Sequence, residues 1–301
     1  MAAQPLAEVF GYRIDDSSED AQRFRRGRLC PFNNKVPSCT KDKANDPLGV
    51  CSIYHGDSIT ITCPIRFREN WRIVSDAATL FFPSGMRWTA LTEIRLLDAN
   101  DRSAGNIDVV LVSYDEQGQL IDFGALEVQA VYISGNVREP FRAYTQSIEA
   151  NTSFDWEGRK SPRADFLSSS RKRLAPQLIY KGGILHSWGK KMAVAVDQAF
   201  FSELPELPRV EADAADVAWL VYDLVENTST NRYQLTLKET VYTHFTPALR
   251  EITTAYPGPE ANFRKLLQRK LAEQRSGRGA NTGVTLIADL FVDDDLTVDE
   301  D

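Results

Sequence analysis

The sequence predicts an α/β protein in which a mixed β-sheet is flanked by helices and preceded by a cysteine-rich segment. Three observations lead to this fold class. Apolar, β-branched runs at 107–114 and 120–133 flank a polar turn with Gly118, a pattern typical of a β-hairpin. Several other segments have apolar residues at helical spacing. All four cysteines fall between positions 30 and 63.

The composition is that of an ordinary globular protein. The chain has 301 residues, and no apolar run approaches the roughly 20 residues needed to span a bilayer, so we expect no membrane partner. Residues 1–5 lack the basic start and apolar core of a secretory signal. We therefore expect a cytoplasmic, reducing location, where cysteines are thiols or metal ligands rather than disulfides.

The cysteine cluster comes first along the chain and consists of Cys30, Cys39, Cys51 and Cys63. Four thiolates without a fifth ligand fit a closed, tetrahedral structural metal site, and the ligand type alone does not separate Fe from Zn. His55 lies within the cluster and is an alternative ligand to one cysteine. A set of buried, inert cysteines is the competing interpretation.

The remaining elements follow from periodicity. Residues 69–82 have helical spacing, and 88–98 are ambiguous between helix and strand. Residues 138–149 predict a helix and 151–163 a loop. The segment 166–188 is helix-like but is interrupted by Pro176 and by Gly182-Gly183. Strands are predicted at 191–201, 216–225 and 232–245, a basic helix at 261–275, and a strand-like run with an acidic end from Val284.

Two acids in the predicted hairpin call for an explanation. Asp108 begins the first strand and Glu127 lies inside the second, where an ionised carboxylate is costly unless it is compensated. Gln129 projects from the same face as Glu127 because side chains alternate along a strand. In an antiparallel hairpin the two carboxylates converge and repel each other, and a bound hard divalent cation such as Mg²⁺ would offset this repulsion.

The charge is unevenly distributed. The net charge is −7, but Asp165 is the only acid between residues 159 and 191. A local basic surface, rather than the total charge, decides contact with phosphates. A solvated helix face is the alternative interpretation. The basic residues of this segment are Arg159, Lys160, Arg163, Arg171, Lys172, Arg173, Lys181, Lys190 and Lys191.

These motifs together resemble a known nuclease family. Gly105-Asn106-Ile107-Asp108, a turn and Glu127-Val128-Gln129 are similar to the PD-(D/E)xK core, except that Gln129 stands where most members carry lysine. With four cysteines ahead of this core, the chain resembles the NotI family of type II restriction endonucleases, whose members carry an iron-bearing tetracysteine site. Residues 178–185 and 192–197 are also similar to that family.

The resemblance implies a site and a reaction. Asp108 and Glu127 would bind Mg²⁺, Gln129 would orient the attacking water, and Glu93 would be a third acidic ligand. The substrate would be double-stranded DNA, cut at a GC-rich palindrome by a two-fold homodimer. Lys181, Lys190 and Lys191 would hold backbone phosphates. Residues 1–70 would form the metal-binding segment, and 71–301 the nuclease domain with a C-terminal extension.

Other functions fit parts of the pattern. One is a DNA-repair or recombination nuclease on the same core. A second is a non-enzymatic DNA-binding regulator with a tetracysteine metal site, in which the three strand residues are bystanders. A third, a rubredoxin-like electron carrier, does not account for the long remainder of the chain and its basic segment.

Overall fold

The computed structural model describes residues 5–33, 36–43, 45–149 and 162–275. Most of the predicted loop at 151–163, and the strand-like run from Val284 with its acidic end, lie outside these residues. The chain divides after Thr253 into a large compact unit and a second unit that contains the last described helix. None of the described helices combines the length and the hydropathy that a bilayer crossing requires.

Strands and helices are interspersed along the chain. The strands are β1 (Leu6–Val9), β2 (Tyr12–Arg13), β3 (Val50–His55), β4 (Ser58–Ile61), β5 (Trp88–Leu97), β6 (Ser103–Tyr114), β7 (Leu120–Gln129), β8 (Tyr132–Ser134), β9 (Arg163–Asp165), β10 (Met192–Asp197), β11 (Val217–Asn227) and β12 (Arg232–Thr243). The α-helices are α1 (Glu19–Arg26), α2 (Arg72–Phe81), α3 (Arg138–Glu149), α4 (Phe166–Ser169), α5 (Ala175–Gln177), α6 (Gly183–Ser187), α7 (Gln198–Ser202), α8 (Phe245–Thr253) and α9 (Glu260–Arg275). Short 3₁₀ segments occupy Pro64–Trp71 and Ala212–Ala214.

A six-stranded mixed sheet forms the centre of the large unit, in the order β12-β11-β10-β7-β6-β5. Strands β6 and β7 form the predicted antiparallel hairpin, and β10 lies parallel to both β7 and β11. The expected mixed sheet flanked by helices is therefore confirmed. A smaller antiparallel sheet has the order β2-β1-β3-β4, and β8 pairs with β9.

Both faces of the central sheet are covered by apolar packing, which accounts for the continuous apolar runs of its inner strands β10 and β11. One face packs against the helical run 166–187 and α8, through residues such as Leu178, Leu185 and Phe245. The other face packs against α2 and the Pro64–Trp71 segment, through Ile73 and Phe67. A separate apolar cluster lies between the small sheet and α3.

The structure refines several predicted boundaries. The ambiguous segment 88–98 is strand β5, because it pairs with β6. The helix expected from residue 69 begins at Arg72, since Asn70 and Trp71 have left-handed backbone angles. The strand expected at 191–201 ends at Asp197, whose carboxylate accepts the N–H of Phe200 and thereby starts α7.

The helical run 166–187 also differs from expectation. Pro176 and the pair Gly182-Gly183 do not interrupt it. Instead the backbone passes through two π-helical turns, Ser170–Leu174 and Leu178–Gly182, which join α4, α5 and α6. Each π turn inserts one extra residue and changes which side chains face the sheet.

Candidate active site

Asp108 and Glu127 lie side by side where the hairpin strands separate. The last paired residues of β6 and β7 are Val109 and Leu126; Asp108 precedes the first and Glu127 follows the second, so both acids lie just beyond the end of the ladder. An Asp108 carboxylate oxygen accepts the backbone N–H of Val128 at 2.8 Å. Burial, and then the neighbouring Asp108 carboxylate, raise the pKa of Glu127 to about 8. Two carboxyl groups therefore share one small space at the end of the ladder.

Glu127 is fully buried, with an exposed fraction of 0%. One carboxylate oxygen, Oε2, lies 2.5 Å from the ammonium Nζ of Lys181. The other, Oε1, accepts no hydrogen bond from an N–H or O–H group of the described residues, and besides burial a hydrogen bond shared with the Asp108 carboxyl contributes to the raised pKa of Glu127. A buried acceptor without a partner carries a desolvation cost, which a cation bound at that oxygen would relieve. Glu127 therefore fits the role of a cation ligand.

Gln129 lies two residues further along β7 and is 3% exposed. Its side-chain amide donates to the carbonyl of Ala130 at 2.6 Å. Gln129 and Asp108 both line an open cleft with a volume of about 910 Å³. Lys172 and Arg173 line the same cleft and are exposed. The acidic pair thus lies beside a cleft with a basic wall, which suits a phosphate-bearing polymer.

Glu93 lies on the strand next to Asp108, but its carboxylate pairs with an arginine. Glu93 lies across from Asp108 in the register of β5 and β6, between the pairs Thr92–Val109 and Ile94–Ile107. Its backbone is left-handed, with φ of 59°, and its carboxylate is 3.6 Å from the guanidinium of Arg68. Among the described residues, no three His, Cys, Asp or Glu side chains are arranged to hold a metal ion. A role for Glu93 as a ligand stays a prediction.

The four cysteines come from separate segments and line one small cavity. All four are free thiols, and Cys39, Cys51 and Cys63 are each 6% exposed. The cavity has a volume of about 10 Å³, roughly the space of one water-sized probe. His55, the alternative ligand, does not line it; its ring contacts Phe166 instead, with centroids 5.0 Å apart.

Burial and nearby backbone N–H groups act in opposite directions on the pKa values of the thiols. Burial raises the pKa of Cys30 to about 11, against the opposing effect of backbone N–H groups at Phe32 and Asn33. Burial likewise raises the pKa of Cys39, where the backbone of Lys41 opposes it. Amide groups directed at sulfur favour a thiolate. The donor set fits a single metal ion, although the side chains are not arranged as ligands in this structure.

Comparison with known proteins decides the family. The model of the family described as restriction endonuclease NotI matches residues 8–235. The chain belongs to the NotI restriction endonuclease family. No curated protein matches the sequence. The predicted family is thus confirmed over most of the chain, and the match includes both the cysteines and the β6–β7 hairpin.

As a member of the NotI family, the protein is a type II restriction endonuclease, a site-specific endodeoxyribonuclease whose substrate is double-stranded DNA. This membership decides against the non-enzymatic regulator and the electron carrier. The acidic pair and the basic cleft can now be interpreted as parts of a nuclease, although no comparison assigns a role to any single residue.

The three lysines expected at DNA have different surroundings. Lys181 is buried and paired with Glu127, so it does not present a surface charge. Lys190 forms an ion pair with Asp122, near the opposite end of β7 from Gln129. Neither Lys190 nor Lys191 is among the described residues that line the cleft. DNA contact by these lysines stays a prediction.

Sequence reasoning did not find two features of the site. The first is the contact between Lys181 and Glu127, which are 54 residues apart in the chain. The second is Lys41, which lines both the cysteine cavity and the cleft and donates to the carbonyls of Val50 and Thr62. The basic segment gave a signal for Lys172 and Arg173, but no local pattern identifies Lys41.

Proposed function

We propose that this NotI-family enzyme cleaves both strands of DNA at a GC-rich palindrome in a Mg²⁺-dependent reaction, on a PD-(D/E)xK core. One observation supports the proposal most strongly. The buried Oε1 of Glu127 accepts no hydrogen bond from an N–H or O–H donor of the described residues, and Glu127 is paired with Asp108, which lines a cleft that also carries exposed Lys172 and Arg173. Asp108 and Glu127 would hold the cation, since hard divalent ions prefer carboxylate oxygens.

Each group of the site has a distinct task in this proposal. Bound Mg²⁺ supplies Lewis acidity at the scissile phosphate and lowers the pKa of water. Gln129 orients the attacking water with its neutral amide. Lys172 and Arg173 attract and hold the phosphates of the DNA backbone along the cleft. Because phosphodiesters hydrolyse very slowly in water, positioning and charge stabilisation must provide most of the acceleration.

A palindromic target is read by a symmetric protein, so the proposed enzyme is a cytoplasmic homodimer with one active site for each strand. Guanine is read best by arginine or lysine at its O6 and N7 atoms. Incubation with phage DNA and Mg²⁺, followed by sequencing of fragment ends, tests the target directly. Discrete fragments with one GC-rich palindromic end sequence support the proposal, whereas nicks or random ladders contradict it.

Substitution of the acids tests the site itself. Asp108→Asn and Glu127→Gln should each lower the cleavage rate by about 10²–10³-fold or more, while specific DNA binding in Ca²⁺ is retained. Glu116→Gln is the matched control, because Glu116 lies in the turn of the same hairpin and is exposed. Wild-type cleavage by either active-site variant would show that the acidic pair is not the reaction centre.

The cysteine cavity is proposed to hold one structural Fe or Zn ion. Its four thiols come from successive segments between positions 30 and 63, so a bound ion would hold this part of the N-terminal region together. Elemental analysis of the purified protein should find about one Fe or Zn per chain. Cys51→Ser should lower both metal content and melting temperature before it lowers turnover of the folded enzyme. Purified, active protein without either metal would refute this assignment.

A further inference from the structure

Lys181 occupies an unusual place for a lysine. It is 5% exposed, and its ammonium lies 2.5 Å from Glu127 Oε2 and 2.9 Å from the carbonyl oxygen of Asn106. Two of its three N–H bonds therefore go to fixed acceptors on β7 and β6. These acceptors lie where the two strands separate, so the ammonium bridges the gap beside the acidic pair.

We propose that Lys181 is a positioning residue for DNA cleavage: it fixes the Glu127 carboxylate through Oε2 and leaves Oε1 directed to the cation. The inference rests on the proposed function of Asp108 and Glu127. It goes beyond that function because it assigns Lys181 to the active site rather than to the DNA backbone.

The local backbone supports this role. Lys181 lies in the π-helical turn Leu178–Gly182, where Leu178 and Lys181 are buried while Ile179 and Tyr180 are exposed. The turn thus directs a charged side chain into a face that otherwise carries leucines. Single π turns are rare, and they occur frequently at functional sites.

The aliphatic part of the Lys181 side chain is also closely packed. Gly105 has a φ of +115°, which favours glycine, and a Cβ there would lie 3.6 Å from Lys181 Cδ. The stem therefore packs closely over the β6 backbone. On the other side, Gly182 lies against the Phe245 ring, so the turn is held between the strand and α8. These contacts restrict the ammonium to one location.

A buried lysine beside two carboxylates has an alternative role, which is only to balance their charge. The two roles predict opposite effects on cation binding. If Lys181 positions Glu127, its removal releases the carboxylate, and Ca²⁺ should bind more weakly. If the ammonium only balances charge, it competes with the cation, and Ca²⁺ should bind more tightly once it is removed. Groups that orient metal ligands typically contribute about 10–100-fold in affinity or activity.

The experiment compares Lys181→Met and Lys181→Arg with the wild-type enzyme and with Lys238→Met. Lys238 pairs loosely with Asp223, at 3.9 Å, in the same sheet and far from the cleft residues in the register. Ca²⁺ affinity is measured by calorimetry, folding by thermal melting, and kcat and KM with saturating Mg²⁺. We expect both Lys181 variants to bind Ca²⁺ more weakly and to lose about 10–100-fold in kcat with an unchanged KM for DNA.

Several results would overturn the proposal. They are tighter Ca²⁺ binding by Lys181→Met, a wild-type kcat in the folded variants, or a loss confined to KM, which would indicate a DNA-phosphate contact. If Lys181→Met does not fold, Lys181→Arg decides, because it keeps the charge but cannot place one nitrogen at the same point. Failure of the proposed function gives a different pattern, since Asp108→Asn would then still cleave DNA.

Discussion

Removal of the Arg66 guanidinium should strongly destabilise the large unit. Arg66 is fully buried, and its Nε lies 3.0 Å from a carboxylate oxygen of Glu8, which is 1% exposed. Its other nitrogens donate to Glu69 at 2.7 Å and to the carbonyl of Tyr233 at 2.8 Å. One side chain therefore joins β1 of the small sheet to β12 of the central sheet.

The expected magnitude follows from the burial of this pair. In Arg66→Met the stem is kept, but the Glu8 carboxylate remains in the interior without a counter-ion. Breaking a buried ion pair in this way costs about 3–5 kcal/mol of unfolding free energy. For a unit of this size, each 1 kcal/mol lowers the melting temperature by about 2–4 °C, so we expect a decrease of roughly 6–20 °C.

Urea unfolding and calorimetry measure this loss of stability. Two further variants separate the cost of the unpaired charge from a general effect of substitution. The double variant Glu8→Gln/Arg66→Met removes both charges and should recover part of the loss, because no uncompensated carboxylate remains at position 8. Arg87→Met is the surface control, since Arg87 pairs only loosely with Glu116 on an exposed turn, and it should change stability by less than about 1 kcal/mol. An Arg66→Met protein as stable as this control would refute the reasoning.

Three further predictions concern the site and its supports. Because the pKa of Glu127 is raised to about 8, the carboxyl group holds a proton below that pH in the folded protein. Ca²⁺ competes with this proton, so the Ca²⁺ affinity measured by calorimetry should increase as the pH rises towards 8. An affinity independent of pH would contradict this. Gly182→Ala should destabilise the fold and lower kcat, because its Cβ would lie 2.6 Å from the Phe245 ring, whereas Gly183→Ala meets no atom within 4 Å and should be neutral or stabilising in thermal melts. Burial raises the pKa of Asp197 to about 7, so the stability that this group contributes falls as the pH rises from the pKa of the unfolded chain through 7. The loss of unfolding free energy in Asp197→Asn, measured by urea unfolding, should therefore shrink over that pH range. A loss that stays constant would exclude the mechanism.

Local pattern was enough for the elements that carry the acidic pair. Two apolar runs and a polar turn predicted the hairpin of β6 and β7, because apolar runs of strand length and a turn glycine are properties of short sequence windows. The same holds for β11, β12 and α9, whose predicted bounds lie within a few residues of those observed. The family was also accessible from the order of its motifs along the chain.

The predicted boundaries of helices and strands were wrong where contacts between residues distant in sequence outweigh the local conformational preference. The start of α2 is delayed because the Glu69 carboxylate binds Arg66 and the backbone N–H of Leu235, which fixes the preceding residues outside helical geometry. Strand β5 was ambiguous because only its pairing with β6 distinguishes it from a helix. Glycines and a proline predicted breaks at 166–188, but packing of the run against the sheet kept it helical through π turns.

The sequence by itself determined the family, the hairpin and the residue types that can carry the chemistry, because these depend on composition, order and short-range periodicity. The tertiary structure decided which of those residues meet. Burial of the Lys181 side chain against Glu127 and the placement of Glu93 beside Arg68 both depend on elements that are separated in the chain. Such contacts are set by the packing of whole elements, for which a single sequence holds no local signal.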